Sequence, residues 1–302
     1  MLTKLILAFF CVFGFSQLTE KSGFLIPPNE RNLAIENNQA IAVPYKQTES
    51  LGVELKAKSA IVIDQKSGKV LLEKNSGANL PMASLTKMMT AVVVLDSGIN
   101  LEDSTTIDEE VAGIEGADIN LASGEEIRVG DLLHGLLISS GNDAAVALAK
   151  KVGGSIDNFV AMMNEKARAI GLANTHFVNP SGLDQTDHYS NVRDLALLAN
   201  YADQHPVFNK IVQIKEYDIQ AINLDKNHHL ANTNKLLRSN YANIKGGKTG
   251  YTEEAGFCLT TFAANDQKQQ IVVVVLGDQL NGEQFQDTKA LVEWVFNNYR
   301  WE

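Results

Sequence analysis

Histidine and cysteine are scarce in this chain, and the scarcity removes whole classes of chemistry. The six histidines, His134, His176, His188, His205, His228 and His229, contain no His-Glu-x-x-His run. The only two cysteines, Cys11 and Cys258, form no Cys-x-x-Cys pair. Neither a catalytic nor a structural zinc site is therefore expected, and no metal or cofactor is called for. Positive charge is also short: 26 Lys and Arg against 36 Asp and Glu leave a net charge of -10. That balance argues against nucleic acid or an anionic membrane surface as partner, since either demands a basic face. What remains, 302 residues with 45% hydrophobic and 21% charged content, is ordinary globular composition, enough for one large domain or two small ones.

The N-terminus carries a lone Lys4, an apolar run from Leu5 to Phe15 and small residues at Gly14 and Ser16. This pattern predicts a secretory signal peptide over residues 1–16, too short and too terminal for a membrane span. Export to the periplasm or the outer face of the cytoplasmic membrane follows, with a tether if the segment is not cleaved. Cleavage leaves Cys258 alone, so it reads as a small buried apolar residue in a strand. Residues 17–55, with Pro27-Pro28, several Asn and Glu and no sustained period, read as a flexible linker. The folded domain is expected over residues 56–302.

Within it, Ala60–Ile63, a turn over Asp64–Gly68 and Lys69–Leu72 predict a β-hairpin. Ser84 opens an apolar stretch at helical spacing (Met88, Met89, Ala91, Val92, Leu95) that ends near Gly98. Further helices are expected from Val129 to Ile138, from about Asp143, after Ser155 with a Phe159–Met163–Ala167 core stripe, and from Asp194 to Tyr201. The last part returns to strands at Lys248–Thr252, Gly256–Ala264 and Ile271–Leu276, then a helix from Asp287 to Tyr299. Strands at both ends with helices inserted between them predict an α+β domain whose antiparallel sheet joins the N-terminal hairpin to the C-terminal strands.

Three short motifs lie on this frame in one order: Ser84-Leu85-Thr86-Lys87, Ser140-Gly141-Asn142 and Lys248-Thr249-Gly250. Ser84 and Lys87 are one helical turn apart, so the amine can reach the hydroxyl it must deprotonate. Burial along an apolar helix lowers a lysine's pKa toward that of a usable base. The second motif adds a hydroxyl and a carboxamide on a loop between helices. The third adds an ammonium, a hydroxyl and a residue without a side chain, against which a substrate can lie. Such an inventory suits acyl transfer from a peptide ending in a carboxylate. Gly247-Lys248-Thr249 also looks like the end of a phosphate-binding loop, but Ala242 stands where that loop needs glycine, and a strand follows where it needs a helix.

The ordered triple resembles the penicillin-binding proteins and serine β-lactamases, and most closely the low-molecular-mass D-alanyl-D-alanine carboxypeptidase family of serine peptidases. Lys58–Asp64, Ser123–Ile127, Asn179-Pro-Ser-Gly-Leu-Asp184, Asn232-Thr-Asn-Lys-Leu-Leu237 and Ala255-Gly256 carry the likeness over about residues 56 to 300. The resemblance implies a DD-peptidase/serine β-lactamase-like fold with an inserted helical lobe, stem peptides ending in D-Ala-D-Ala as substrate and β-lactams as covalent inhibitors. At matched positions it implies Ser84 as acylated nucleophile, Lys87 as proton acceptor and Ser140 as proton relay. Asn142 would hold the substrate backbone, Lys248 and Thr249 the terminal carboxylate, and the amides of Ser84 and Tyr251 the oxyanion, with Gly250 lining the substrate site.

Tyr251 stands where family members often carry His, and Gly277-Asp278-Gln279 where many carry Arg. The β-rich second domain and C-terminal anchor of many relatives are not expected. The leading expectation is a carboxypeptidase that removes the terminal D-alanine; a D,D-endopeptidase using the same apparatus is the alternative. A class A β-lactamase is disfavoured because Phe177-Val-Asn-Pro-Ser-Gly stands where its Glu-x-x-Leu-Asn segment belongs. An inactive wall-binding module is disfavoured because nucleophile and base are both intact.

Overall fold

A computed structural model describes residues 42–302. The expected signal peptide, and the expected linker before residue 42, lie outside the described residues. Strand β1 (Tyr45–Lys46) precedes a hairpin of β2 (Ser59–Asp64) and β3 (Val70–Lys74), after which the chain leaves the sheet. The helical lobe follows: α1 (Thr86–Asp96), α2 (Glu109–Ala112), α3 (Val129–Ile138), α4 (Asn142–Gly153), α5 (Ile156–Ala169), α6 (Val192–Asp203) and α7 (Pro206–Val212). Two small ribbons edge it, β4 (Ser104–Thr106) with β5 (Glu126–Arg128), and β6 (Glu216–Gln220) with β7 (Asn227–Ala231). After α8 (Lys235–Arg238) come β8 (Ile244–Thr252), β9 (Gly256–Ala264), β10 (Gln270–Asp278), α9 (Glu283–Asn298) and β11 (Tyr299–Arg300).

The five-stranded antiparallel sheet has the order β3-β2-β10-β9-β8, so β2 closes on β10 in the register Ile61↔Val274 and Ala60↔Val275. The expected union of the two chain ends is thus present. The central strands β2 and β10 are apolar on both faces because both are covered. Side chains alternate across a strand: Ile61, Ile63, Val272 and Val274 join the core shared with the helical lobe, while Ala60, Val62, Val273 and Val275 join a second core under α9. Each fully buried Val or Ile contributes about 1.5–3 kcal/mol relative to exposure. Helix α1 is buried from Thr86 to Val94, as expected for an element at the centre of the lobe. Cys258 is fully buried in β9, and burial pushes its thiol up to about 12.

Residues 42–55, expected as part of the linker, are instead laid against the C-terminal helix. Tyr45 pairs with Arg300, Gln47 N donates to Asn298 O at 2.8 Å, Trp294 Nε1 donates to Ser50 Oγ at 2.8 Å, and Leu55 is buried. The Ser50 partner lies 244 positions along the chain, beyond the reach of any local pattern. Among the described residues no helix is long and apolar enough to cross a membrane.

Candidate active site

Ser84 sits on a 3-10 turn, Ala83–Leu85, directly ahead of α1 and not on the helix's own first turn. Ala83 adopts a left-handed backbone, φ 48°, which costs a residue with a Cβ about 1–3 kcal/mol and persists only where its surroundings hold it. Here they do so from three sides. Thr86 Oγ1 donates to Ala83 O at 2.8 Å, and His188 Nε2 lies 2.8 Å from the same hydroxyl. Val178 N donates to His188 Nδ1 at 3.0 Å, so the single proton of the neutral ring belongs on Nε2, directed at Thr86. Burial keeps that ring neutral by lowering its pKa to about 4. Gly182, at φ 88°, presses its backbone so close that a Cβ there would come within 2.0 Å of Ala83 O. Gly250 of β8 closes the third side, its would-be Cβ 3.0 Å from Ser84 N. Sheet and lobe thus meet on the turn that presents the hydroxyl.

Lys87 is fully buried and reaches three oxygens: Ser84 Oγ at 2.9 Å, Asn142 Oδ1 at 2.7 Å and Ser181 O at 2.6 Å. Two of these can only accept. Ser181 O is a carbonyl, and Asn142 Oδ1 is the oxygen of a carboxamide whose Nδ2 donates to Glu115 O at 2.8 Å. A neutral amine has two N–H donors for those two acceptors and one lone pair left, and Ser84 is the only partner with a proton to give it. The pKa agrees with this geometry. Burial first, then the positive charge of Lys248, pull Lys87 well below the ordinary lysine value, with Asp143 opposing in part.

Lys248 is also buried, and its ammonium donates to Ser140 Oγ at 2.7 Å and to Thr249 O at 2.8 Å. Burial lowers it to about 7. Ser140, at the end of α3, is a second residue in the left-handed region, φ 65°. The loop before α4 therefore brings the second motif's hydroxyl to the third motif's amine.

Ser84, Ser140, Thr249, Gly250 and Tyr251 line a cleft of about 420 Å³ between lobe and sheet. Thr249 Oγ1 lies 2.5 Å from Thr233 Oγ1, and Tyr251, 55% exposed, stacks on Phe257 at 4.3 Å between ring centroids. Asn142, Lys87 and Lys248 stand behind that wall. The carboxamide of Asn142 is engaged by Lys87 and Glu115, and Gly116 with Ala117 form the surface over it. The structure therefore gathers all the sequence-predicted site residues, five on the surface and three just beneath it.

Four participants escaped the motif reading. Ser181 acts through its carbonyl, so its side-chain identity carries no signal, and Gly182 through the absence of a Cβ. The segment Asn179–Asp184 was noticeable only as a likeness. Thr233 likewise lay only within a segment of likeness, Asn232–Leu237, and shows its contact with Thr249 only in the fold; His188 announces itself only through a partner 102 positions away.

Residues 45–279 match the family model described as D-alanyl-D-alanine carboxypeptidase. The chain is 39% identical over 258 residues to the D-alanyl-D-alanine carboxypeptidase DacF of Bacillus subtilis, an alignment spanning 84% of this chain and 65% of that protein. It thus spans slightly less than two thirds of that relative. It is 34% identical to a D-alanyl-D-alanine endopeptidase of Pseudomonas aeruginosa, spanning 87% of this chain and 85% of the relative. Among solved structures, the Streptomyces K15 DD-transpeptidase superposes with a TM-score of 0.78 at 29% identity, covering 82% of this chain and all of that one (100%). A penicillin-binding protein homologue from Mycobacterium tuberculosis gives the same TM-score of 0.78 at 30% identity, covering 83% of this chain and 95% of that one. By sequence and by fold, this chain belongs to the D-alanyl-D-alanine carboxypeptidase family.

Proposed function

We propose that the protein is a serine-type D-Ala-D-Ala carboxypeptidase that removes the terminal D-alanine from peptidoglycan stem peptides through an acyl-Ser84 intermediate. One observation carries the reading: Lys87 Nζ lies 2.9 Å from Ser84 Oγ, and its other partners are acceptors that orient its lone pair toward that hydroxyl. Ser84 Oγ attacks the carbonyl carbon of the penultimate D-alanine while its proton passes to Lys87. The carbonyl electron pair moves onto oxygen, facing the amides of Ser84 and Tyr251. Collapse breaks the C–N bond, and the departing nitrogen takes a proton from Ser140 Oγ, which Lys248 refills. An amine with a pKa near 7 is matched to that task at neutral pH.

Water then attacks the ester. Its proton goes back through Ser140 to Lys248, and Lys87 returns its own to Ser84, so the cycle closes. Thr249 contributes its hydroxyl to the substrate's carboxylate, Gly250 leaves room for the peptide backbone, and Asn142 fixes Lys87 from behind. β-Lactams, which present a strained acyl group and a carboxylate, enter as covalent inhibitors by the same first step. Such an enzyme acts outside the cytoplasmic membrane, in keeping with the apolar N-terminal segment, with residues 56–302 holding the catalytic apparatus.

The endopeptidase relative supports a second reading, in which the same acyl transfer cuts crosslinks. Incubation with defined muropeptides separates the two. Free D-alanine released from a monomeric pentapeptide is the expected product; cleavage of a crosslinked dimer without D-alanine release replaces the first reading with the second. Neither product, with no covalent penicillin, contradicts both.

A further inference from the structure

Whatever bond is cut, the substrate's terminal carboxylate needs a positive charge near the cleft, and the charge assigned to it by motif, on Lys248, faces elsewhere. Lys248 is 1% exposed and its ammonium donates to Ser140 Oγ and Thr249 O. Burial also leaves it only partly charged at neutral pH. Tyr251, at the cleft, and Gly277-Asp278-Gln279, at the end of β10, supply no cation either.

Lys235 is the one cationic residue on the cleft wall among the described residues. Its backbone is firmly placed. It opens α8, whose N-cap Asn234 accepts from Leu236 N at 3.0 Å and Leu237 N at 3.4 Å, and both leucines are buried in the core under α9. Its side chain is exposed, and among the described residues it has no ion pair. The ammonium lies 6.0 Å from the ring centroid of Phe285, itself a cleft residue. Thr233, two positions earlier, shares its hydroxyl contact with Thr249 on the same wall. Lys235 also borders a second depression whose lining includes Lys215 and Arg238, with Glu216 as its one carboxylate. On a chain of net charge -10, that is a local positive field leading into the site.

We infer that Lys235 supplies the cation that holds the terminal carboxylate of the substrate, beside the hydroxyl of Thr249, in place of Lys248. The inference rests on the acyl-transfer reading above and adds to it the residue that recognises the anionic end of the peptide.

The test compares acylation by penicillin G with acylation by its methyl ester, and cleavage of an acyl-D-Ala-D-Ala peptide with its C-terminal amide, in the wild type and in Lys235→Gln, Lys235→Glu and Lys235→Arg. For the carboxylate ligands, Lys235→Gln is expected to raise the half-saturating concentration roughly 10- to 100-fold, the range for a hydrogen bond to a charged group, with the limiting rate little changed. Lys235→Glu is expected to do worse and Lys235→Arg to recover most of the loss. The ester and the amide should respond little to any of the three. Added salt should weaken carboxylate binding in the wild type and much less in Lys235→Gln. If the wild type prefers the free carboxylate and Lys235→Gln keeps the full preference, the inference is overturned while the acyl-transfer reading stands. If neither penicillin nor peptide reacts with the folded wild type, the acyl-transfer reading fails, and the inference with it.

Discussion

Lys87 Nζ and Ser84 Oγ are 2.9 Å apart, and Ser84 is the only partner of that nitrogen able to donate a proton to it. Reaction therefore requires neutral Lys87, a form made accessible by burial and by the charge of Lys248. Because the shift is downward, the reactive fraction grows as pH rises and saturates well below the ordinary lysine pKa. Penicillin acylation is expected to rise with pH as Lys87 loses its proton, and to fall again as Lys248, with a pKa of about 7, loses the proton it passes toward the leaving nitrogen. Replacing Lys248 by Met removes a positive neighbour, makes protonated Lys87 easier to keep and should move the rising limb to higher pH. A rising limb that stays in place in Lys248→Met would show that the two amines do not interact.

The left-handed turn at Ala83 makes two glycines irreplaceable for different reasons. A Cβ at Gly182 would lie 2.0 Å from Ala83 O at a backbone of φ 88°, so Gly182→Ala should destabilise the protein by about 3 kcal/mol or more, visible as a fall in unfolding temperature. At Gly250 the clash is milder, 3.0 Å from Ser84 N. Gly250→Ala is expected to fold and lose acylation by roughly 100-fold, the effect of disturbing one oxyanion donor. Normal acylation by a folded Gly250→Ala would remove Gly250 from the account.

The neutral ring of His188 ties Thr86, and through it Ala83 O, to the chain at Val178. His188→Ala should lower the limiting acylation rate by about 10-fold or more while leaving the half-saturating penicillin concentration nearly unchanged. His188→Gln, which keeps a donor, should recover part of the rate. Because the ring's pKa is depressed to about 4, the unfolded chain binds the extra proton between about pH 4 and 6.5. Stability contributed by the neutral ring is present above pH 6.5 and lost as pH falls toward 4. Equal pH dependence of unfolding in wild type and His188→Gln would contradict that assignment.

How legible these features were in the chain depended on their range. Ser84 and Lys87 are one turn apart, so their contact follows from helix geometry alone, and the runs Ala60–Ile63 and Ile271–Leu276 announce strands buried on both faces. Helix α3 from Val129 to Ile138 matches the expected bounds. Ala83 gave no sign of its backbone conformation, because alanine ordinarily favours the helix that begins three residues later. The ribbon of β6 and β7 was missed because its strands are short, with charged and polar residues interleaved among few apolar ones. Lys248 was legible as a site residue but not in its orientation, which the bond to Ser140, 108 positions away, decides.

Residues 42–55 add stability without touching the site. A chain beginning at Lys56 loses the β1–β11 pair, the Ser50–Trp294 bond and the burial of Leu55. Its unfolding temperature should fall by about 5 °C or more relative to a chain beginning at Ile41, with acylation by penicillin unchanged. Impaired acylation in the folded shorter chain would mean that the segment shapes the cleft.

The most direct measurement is the intact mass of the protein after brief exposure to penicillin G, followed by peptide mapping of the adduct. The account predicts an increase of one penicillin per chain, carried on the peptide containing Ser84, absent in Ser84→Ala and strongly slowed in Lys87→Ala. An adduct of equal yield in Ser84→Ala, or one mapped to another residue of the wild type, would contradict it.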